Sequence, residues 1–543
     1  MSDEYLKNPD FSNLGANDRT RLNRMLRGGA TRRDMLGFMG AAGASALFAG
    51  SVVGSATRAY AEAPKRGGRL ILADDASGPE DTVDPILSTS SIDYVRLRQF
   101  YGSLTRLNAN LQVDPELAVE FMPNADATVW TFKLREGVEF HDGQTMTADD
   151  VIYSMNRHMG ANTLSKAAAL VADVDRWEKV GPYEVRAHMK SPNADLPIIL
   201  GTFHFKIIKD GTSDFTTAVG TGPFRAVEFQ PGIRSVGRRF ENYWGNGPYL
   251  DEIETIGIAD ADSRLNALIA GDVDAIVEVP PKSMNMLEAN GGINLWTVKT
   301  ASYANIAARM DVADTGNQDL ILAMKHLMDR ERIVKGVLKG QGTLGNDQPI
   351  GSAYADHCAD LPQRTLDPEK AKYHFERSGI GSTPIPIAAA ELTAGAVEQV
   401  LILQREAAKI GMNIEVQKVS TDGYYGSVWL KAPIFVGFWN MRPTANAMLS
   451  LAYASSAKWN ESKFVNEQFD QTLYAVRAVT DTQQRSQMYC DLQTMVQEDA
   501  GTVIGAHKNA VDAVRSYVRG MTYVPLNSFG GAEAAEFLWR DDV

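Results

Sequence analysis

One apolar segment of the chain ends in side chains that could bind a ligand. Residues 434–438 read IFVGF, which is typical of a buried strand, and Trp439, Asn440 and Arg442 follow it. An indole, an amide and a forked guanidinium suit a polar organic ligand, and α/β folds usually bind ligands at strand ends. A second Trp-Asn pair begins at Trp459. We therefore expect these four side chains to contact a ligand; the alternative is that the tryptophans are core residues and the arginine lies on a solvated loop.

The sequence signatures of common enzymes are absent from the chain. It contains no G-x-S-x-G, phosphate-loop, H-E-x-x-H or C-x-x-C motif. The glycines at 220 and 222 precede Pro223, which lacks the N–H that a phosphate cradle would use. The tripeptide 141–143 (HDG) is typical of a structural turn before a helix. From these residues we expect no catalytic residues, no cofactor and no bound metal.

Composition excludes further classes of protein. The 543 residues include 54 Lys and Arg against 67 Asp and Glu, a formal charge of -13, whereas nucleic-acid-binding domains are normally basic. Only two cysteines occur, so a disulfide scaffold and a cysteine-rich metal module are excluded. Cys358 and Cys490 could form one disulfide or remain buried thiols, and the sequence leaves both possibilities open.

The first 63 residues have the features of a bacterial twin-arginine export signal. Arg32 and Arg33 precede a run of 23 uncharged residues that is rich in Gly, Ala and Ser. Small residues then offer cleavage sites near Ala61 or Ala63. A transmembrane anchor is the alternative, since 23 residues can span a bilayer. The region holds no cysteine to carry a lipid, so we expect export by the twin-arginine machinery and a freely diffusing periplasmic protein.

The remaining chain alternates strand and helix patterns without a fixed-period repeat, which favours a mixed α/β architecture. Strand patterns occupy residues 68–73, 128–134, 183–189, 253–258 and 413–419. Helical patterns occupy residues 147–159, 319–339, 370–378, 397–409, 470–478 and 481–498. No Pro/Gly/Ser linker separates these segments, so domains should arise from chain excursions rather than from serial units.

The order of several motifs resembles family 5 of the bacterial extracellular solute-binding proteins, the receptors of ATP-driven peptide and nickel importers. The motifs are TVDP (82–85), VWTFKLREGVEFHDG (129–143), TADDV (147–151), GTGPF (220–224), ENYWG (241–245), RLNALIAGDVD (264–274) and LDPEKA (366–371). The resemblance covers essentially the whole chain after the signal. It implies a two-lobed, type II-like periplasmic binding protein with a hinged cleft and an extra domain inserted in the N-terminal lobe.

The resemblance also implies domain boundaries and partners. Lobe one would combine residues 64–104, 206–280 and 511–543 with an inserted domain at 105–205, and lobe two would be residues 281–510. The protein would act as a monomer that closes around a small solute and delivers it to the permease subunits of an ABC transporter. A sensor subunit with the same fold is equally compatible with the sequence.

Further cleft residues follow from the same resemblance. The loop containing Thr89 and Ser90 matches a family segment at the cleft, and Tyr303 and Asn305 lie on a strand that should reach it. Peptide-binding members place an Asp after the equivalent of the 436–439 strand, where it pairs with the peptide amino group. The stretch 437–445 (GFWNMRPTA) contains no acid.

That difference argues against a free-amine peptide held in the usual way, because a buried ammonium without a counter-charge is costly. Arg442 instead suggests a carboxylate or other anion on a peptide-like, opine-like or other polar solute, with Trp439 as a stacking face. A nickel or metal chelate is an alternative ligand. An oligosaccharide stacked on Trp429, Trp439 and Trp459 is another, and a secreted hydrolase is the alternative from a different class.

Overall fold

The computed structural model of the protein describes residues 63–421 and 423–543. The export signal expected at 1–63 therefore lies outside the described residues, apart from Ala63. In the described ranges, no helix combines the length and apolar character needed to cross a membrane.

Twenty strands and nine helices of eight or more residues make up the described fold. The strands, β1–β20 in chain order, are Arg69–Asp74, Thr105–Leu107, Val113–Pro115, Ala118–Pro123, Val129–Leu134, Val174–Gly181, Glu184–Met189, Phe224–Gln230, Arg234–Arg239, Glu252–Gly257, Ala275–Ile276, Ile293–Ala308, Gly342–Leu344, Ile385–Ala389, Ile414–Lys418, Ile434–Trp439, Thr502–Ile504, Ala506–Arg515, Val518–Arg519 and Trp539–Arg540. The helices, α1–α9, are Ser91–Phe100, Ala148–Asn156, Ala261–Ala270, Gln318–Leu327, Pro368–Ser378, Ala396–Lys409, Ala445–Ala452, Glu467–Ala475 and Thr482–Asp499.

Shorter helical turns complete the description. They are Ala168–Val171, Leu196–Leu200, Pro281–Ser283, Met284–Glu288, Arg330–Arg332, Ile333–Val337, Tyr424–Ser427, Val476–Ala478, Ser528–Gly531 and Ala534–Glu536. All five strands predicted from the sequence are present, with each end within one residue of the prediction. The α/β fold class is thereby confirmed at the level of its elements.

The single helix predicted over 319–339 is wrong. The helix α4 ends at Leu327 because Met328 adopts an extended conformation, with φ -71° and ψ 111°. Asp329 then caps a new turn by accepting a hydrogen bond from the Arg332 N–H at 3.0 Å. The break lets Arg330 turn inward and donate to both oxygens of the buried Asp347 at 2.7 Å. An ion pair between two residues that are 17 positions apart in the chain thus overrides the local helical pattern.

One twelve-stranded sheet runs through the molecule, in the order β15-β14-β16-β12-β18-β11-β1-β10-β9-β8, with β13 on β18 and β17 on β12. Its middle strands, β12 and β18, pair antiparallel with each other. Residues 293–298 of β12 pair with β18, and residues 303–308 pair with β16. The register shifts between Val298 and Ser302. The long strand β12 therefore passes from one half of the sheet to the other at this irregularity.

The two halves of the sheet build two lobes around separate cores. Lobe one contains β1 and β10 together with the four-stranded sheet β4-β5-β7-β6, whose core is formed by residues between Leu104 and Ile207. Lobe two contains β14, β15 and β16 packed against α4 and α6. The domain boundaries proposed from the sequence stay a prediction. The two cysteines, whose state the sequence left open, form a disulfide in lobe two.

The lobes touch each other in the described conformation. Leu107 and Leu111 of lobe one belong to the same apolar cluster as residues of α7, α8 and α9. The Ala194 N–H donates to the Arg477 carbonyl oxygen at 2.9 Å, and the Arg477 guanidinium lies 3.2 Å from the Asp173 carboxylate. Asp195 forms a second ion pair with Arg485 of α9. The structure is therefore a closed form with its cleft shut.

Candidate functional site

The strand β16 delivers Trp439 and Arg442 to the cleft. Its backbone pairs with β12, which sets Tyr303 opposite Trp439. Beyond the strand end, the Met441 N–H donates to the Ser302 hydroxyl at 3.1 Å, and the Arg442 N–H donates to the Tyr354 hydroxyl at 2.9 Å. These bonds fix the backbone of a segment that has left the sheet, so the position of the Arg442 side chain is set before any ligand arrives.

The guanidinium of Arg442 has no carboxylate partner. In the part of the chain that the structure describes, no Asp or Glu oxygen lies within 4.0 Å of it, and its buried Nε atom makes no hydrogen bond. The centre of the guanidinium lies 5.7 Å from the centroid of the Trp439 ring. Burial lowers the pKa of Arg442 from its usual value. Arg442 is partly exposed. A partly buried cation without a counter-charge costs free energy, which an incoming anion would recover.

Titratable side chains of both lobes lie near enough to this guanidinium to interact with its charge. The tyrosines whose charge influences the pKa of Arg442 are Tyr354 and Tyr303 of lobe two and Tyr94 of α1 in lobe one. His204 of lobe one also responds to the field of Arg442. Burial, with the charges of Lys206 and Arg442, lowers the pKa of His204 to about 4. We call these side chains, with Arg442 and Trp439, the Arg442 site.

A buried carboxylate holds the tryptophans behind the site. Glu461 accepts hydrogen bonds from Trp429 Nε1 at 2.6 Å and from Asn305 Nδ2 at 2.8 Å. The indole of Trp439 lies close enough to favour the ionised form of Glu461. Burial raises the pKa of Glu461. The half-exposed ring of Trp459 makes edge contacts with Trp429 and Trp439, at centroid distances of 6.3 and 6.2 Å. The sequence analysis assigned no role to Glu461; its only sequence signal is a position two residues after Trp459.

The structure brings some of the predicted binding residues together at the Arg442 site, whereas the side chains of others make contacts elsewhere or are exposed. Tyr303, Trp439 and Arg442 meet at the Arg442 site, with Trp459 behind Trp439. Asn305 is fully buried, and its amide donates to Glu461 and, at 3.2 Å, to Thr502. The structure gives the Asn305 side chain a role inside lobe two.

The other three predicted residues lie at the edge of the cleft or on the surface. The Ser90 hydroxyl caps α1, accepting from the Asp93 N–H at 3.4 Å. The Thr89 N–H donates to Asp93 at 3.3 Å while its side chain is exposed, and the side chain of Asn440 is exposed. Thr89 and Ser90 bind Asp93 at the start of α1, the helix that carries Tyr94. They therefore help to position Tyr94. Sequence reasoning missed Tyr94, His204 and Tyr354, which lie in segments distant from the 434–443 strand.

No group of three or more His, Cys, Asp or Glu side chains in the ranges 63–421 and 423–543 is arranged to hold a metal ion.

Comparison with known proteins places this fold among transport receptors. The sequence model of the "Bacterial extracellular solute-binding proteins, family 5 Middle" matches residues 112–461, which is more than half of the chain. The dipeptide-binding protein of Escherichia coli K12 is 24% identical over 497 residues, covering 83% of this chain and 92% of the relative.

Two solved structures share the fold. AgaA of Agrobacterium tumefaciens R10 in complex with agropinic acid has a TM-score of 0.71 at 20% identity, covering 87% of this chain and 99% of that one. NikZ of Campylobacter jejuni in complex with Ni(L-His) has a TM-score of 0.74 at 19% identity, covering 87% and 99%. The expected two-lobed periplasmic binding protein fold is confirmed. The chain belongs to family 5 of the bacterial extracellular solute-binding proteins.

Proposed function

We propose that the protein is the substrate-binding component of an ABC importer and that it captures a small solute bearing a carboxylate. The observation that carries this proposal is the guanidinium of Arg442, which is held at the cleft without a carboxylate partner among the described residues. A guanidinium presents its N–H donors in a planar fork that fits a carboxylate with two parallel hydrogen bonds. A ligand carboxylate is therefore the natural partner.

Relatives bind ligands of more than one chemistry, and the local charges favour the acids among them. AgaA holds agropinic acid, whereas other relatives are named for dipeptides or hold a nickel–histidine complex. The resemblance implies an Asp for the peptide amino group in peptide-binding members, and the segment after β16 contains no acid before Glu461. An anionic solute therefore fits this cleft better than a free-amine peptide does.

Closure follows from the contacts that such a ligand would make. The Arg442 site takes Arg442, Tyr303 and Tyr354 from lobe two, and Tyr94 and His204 from lobe one. A ligand that binds groups of both lobes at once stabilises the closed form relative to the open form. The closed form would then dock, as a monomer, on the permease subunits at the inner membrane.

Substitution of Arg442 tests the ligand class. The ligand is first identified by native mass spectrometry of protein purified from its own periplasm. We expect Arg442→Gln to weaken binding of that ligand by about 2 kcal/mol or more, since a charge-assisted contact is lost. Titration calorimetry measures the change, and Arg332→Gln, at an exposed position of lobe two, is the matched control. Unchanged affinity in Arg442→Gln, or a retained sugar or metal complex, contradicts the proposal.

We also propose a periplasmic location reached through the twin-arginine pathway. Replacing both Arg32 and Arg33 by lysine should block export, because that pathway reads the arginine pair. Cell fractionation measures the effect, and N-terminal sequencing of the exported protein should find a start after Ala61 or Ala63. Replacing Arg24 and Arg27 by lysine is the control. Normal export of the protein that lacks the arginine pair would contradict the pathway.

A further inference from the structure

The side chains around the Arg442 guanidinium are mostly aromatic rings. Trp439 lies beside it at 5.7 Å, and the buried rings of Tyr303 and Tyr354 approach from the same lobe. Tyr94 and His204 approach from lobe one. A cation bordered by rings offers a ligand one strong charge contact and several flat carbon faces.

Lobe one presents a preformed stack of rings. Tyr94 lies on Phe203 with a centroid distance of 3.7 Å and an interplanar angle of 24°. His204 packs against both rings, at 5.0 Å from Tyr94 and 4.8 Å from Phe203. All three side chains are partly exposed in a cleft that is otherwise shut. Because the stack is built within one lobe, it exists before closure and can receive a planar group.

The polar atoms of this stack add hydrogen-bonding capacity without charge. His204 is neutral near pH 7, since its pKa is lowered to about 4. Its Nδ1 atom is buried and has no hydrogen-bond partner among the described residues. With Arg442 Nε, two buried donor or acceptor positions at one site therefore lack a protein partner. Buried polar atoms normally find a partner, so both atoms point to a bound ligand.

Acids close to the site already have partners. Asp93 influences the pKa of Tyr94, but its oxygens accept backbone N–H groups from Thr82 at 2.9 Å and from Thr89 at 3.3 Å. Glu461 influences the pKa of Tyr303, but its oxygens accept from Trp429 at 2.6 Å and from Asn305 at 2.8 Å. Neither of these two acids is therefore free to neutralise an ammonium group beside the ligand carboxylate.

We propose that the ligand is an aromatic or conjugated planar carboxylate that carries no amino group beside its acid. The carboxylate meets Arg442, and the planar body lies against the Tyr94–Phe203 stack and Trp439. This inference rests on the proposed carboxylate site and narrows it to one chemical class.

Matched pairs of small acids test the proposal on the intact protein. The probes are benzoate with cyclohexanecarboxylate, which differ only in the ring, and phenylacetate with phenylglycine and 3-phenylpropionate with phenylalanine, which differ only in the amine. Calorimetry and thermal shift measure binding. We expect the best-bound aromatic acid to bind at least about tenfold more tightly than its amino partner, because the ammonium group is not neutralised. We expect benzoate to bind about fivefold more tightly than cyclohexanecarboxylate.

The outcomes separate this inference from the broader proposal. Equal or tighter binding of the amino or saturated partners overturns the aromatic class, while the carboxylate site survives if Arg442→Gln abolishes their binding. If none of the probes binds, the aromatic class is overturned. If the co-purified ligand also binds Arg442→Gln normally, the carboxylate site itself fails.

A ring substitution gives an independent check. Tyr94→Leu keeps an apolar side chain but removes the flat face, so we expect aromatic acids to weaken about fivefold and saturated acids to be unaffected. Tyr373→Leu, at an exposed position on α5, is the matched control. Equal losses for aromatic and saturated acids in Tyr94→Leu would show a general packing defect and overturn the stacking role.

Discussion

The carboxylate of Glu461 determines the orientation of the tryptophans at the site, although a ligand at Arg442 need not touch it. It is buried and accepts N–H groups from the Trp429 indole and the Asn305 amide, and the Trp439 indole lies close to it, so its negative charge is solvated by the protein. Trp439 forms the face beside Arg442. An acid that the sequence left without a role therefore acts as a positioning residue.

Replacement of Glu461 by Gln should destabilise lobe two. The glutamine NH₂ would face an N–H donor, so one buried donor loses its acceptor, at a cost of about 1–3 kcal/mol. Urea unfolding measures the loss, and tryptophan emission should shift to longer wavelength as the indoles lose their fixed positions. The control is Glu415→Gln, at an exposed position on β15. Wild-type stability in Glu461→Gln would contradict this role.

The site is assembled from several separate strands and helices, and this explains why the sequence predicted only half of its residues. The apolar run of β16 ends where its residues change type, so Trp439 and Arg442 could be read from the chain. Tyr94 and His204 reach the same place on α1 and on the segment after Leu196–Leu200, and no local pattern links those segments to β16. The break after α4 was missed for the same reason. The Arg330 side chain forms its ion pair with Asp347, which lies 17 residues away in the chain, and not with its helical neighbours.

Asp74, the last residue of β1, and Asp512, within β18, are two buried acids that interact, and they give the fold a pH dependence. Asp512 accepts from the Phe529 N–H at 2.8 Å and from the Glu278 N–H at 3.3 Å. Burial, with the charges of Glu278 and Asp74, raises the pKa of Asp512 to about 8. Burial and the charge of Asp75 raise the pKa of Asp74 to about 7. The folded state thus favours the protonated acids.

Stability should therefore fall as pH rises from about 5 to about 8. In this interval the unfolded chain has already released both protons, because its carboxyls titrate near about 4, while the folded chain must still lose them. We expect a loss of roughly 4–6 kcal/mol, measured by urea unfolding at the two pH values. Asp512→Asn should flatten this dependence, and Asp214→Asn, at an exposed position, should not. A wild-type stability that rises over the interval would contradict the assignment.

At the scale of the whole molecule, closure is held by contacts far along the chain from the Arg442 site. Asp173 of lobe one meets Arg477 of lobe two at 3.2 Å, and both side chains are partly exposed. An ion pair between the lobes stabilises the conformation in which they touch, and a ligand that needs this conformation gains apparent affinity from the pair. The two lobes therefore contribute to binding without touching the ligand.

Asp173→Asn should lower ligand affinity about two- to fivefold, since a partly exposed pair contributes about 0.5–1 kcal/mol. The effect should shrink at high salt, which screens the pair in the wild type. Calorimetry at two salt concentrations measures it. Asp175→Asn is a close control, because Asp175 pairs with the adjacent Arg176 within lobe one. Equal affinities for the Asp173→Asn and wild-type proteins would show that this pair does not hold the cleft shut.

The antiparallel pair β12 and β18 has a mechanical consequence. Sliding one lobe past the other would break the hydrogen-bond ladder that joins these two strands, whereas bending them at the irregular stretch between Val298 and Ser302 would keep it. Motion between the lobes is thus reduced to essentially one angle. A membrane partner that contacts both lobes would distinguish the bound from the free protein by that angle alone. Receptors with this pair of strands could therefore bind different ligands and still present the same surface to the partner.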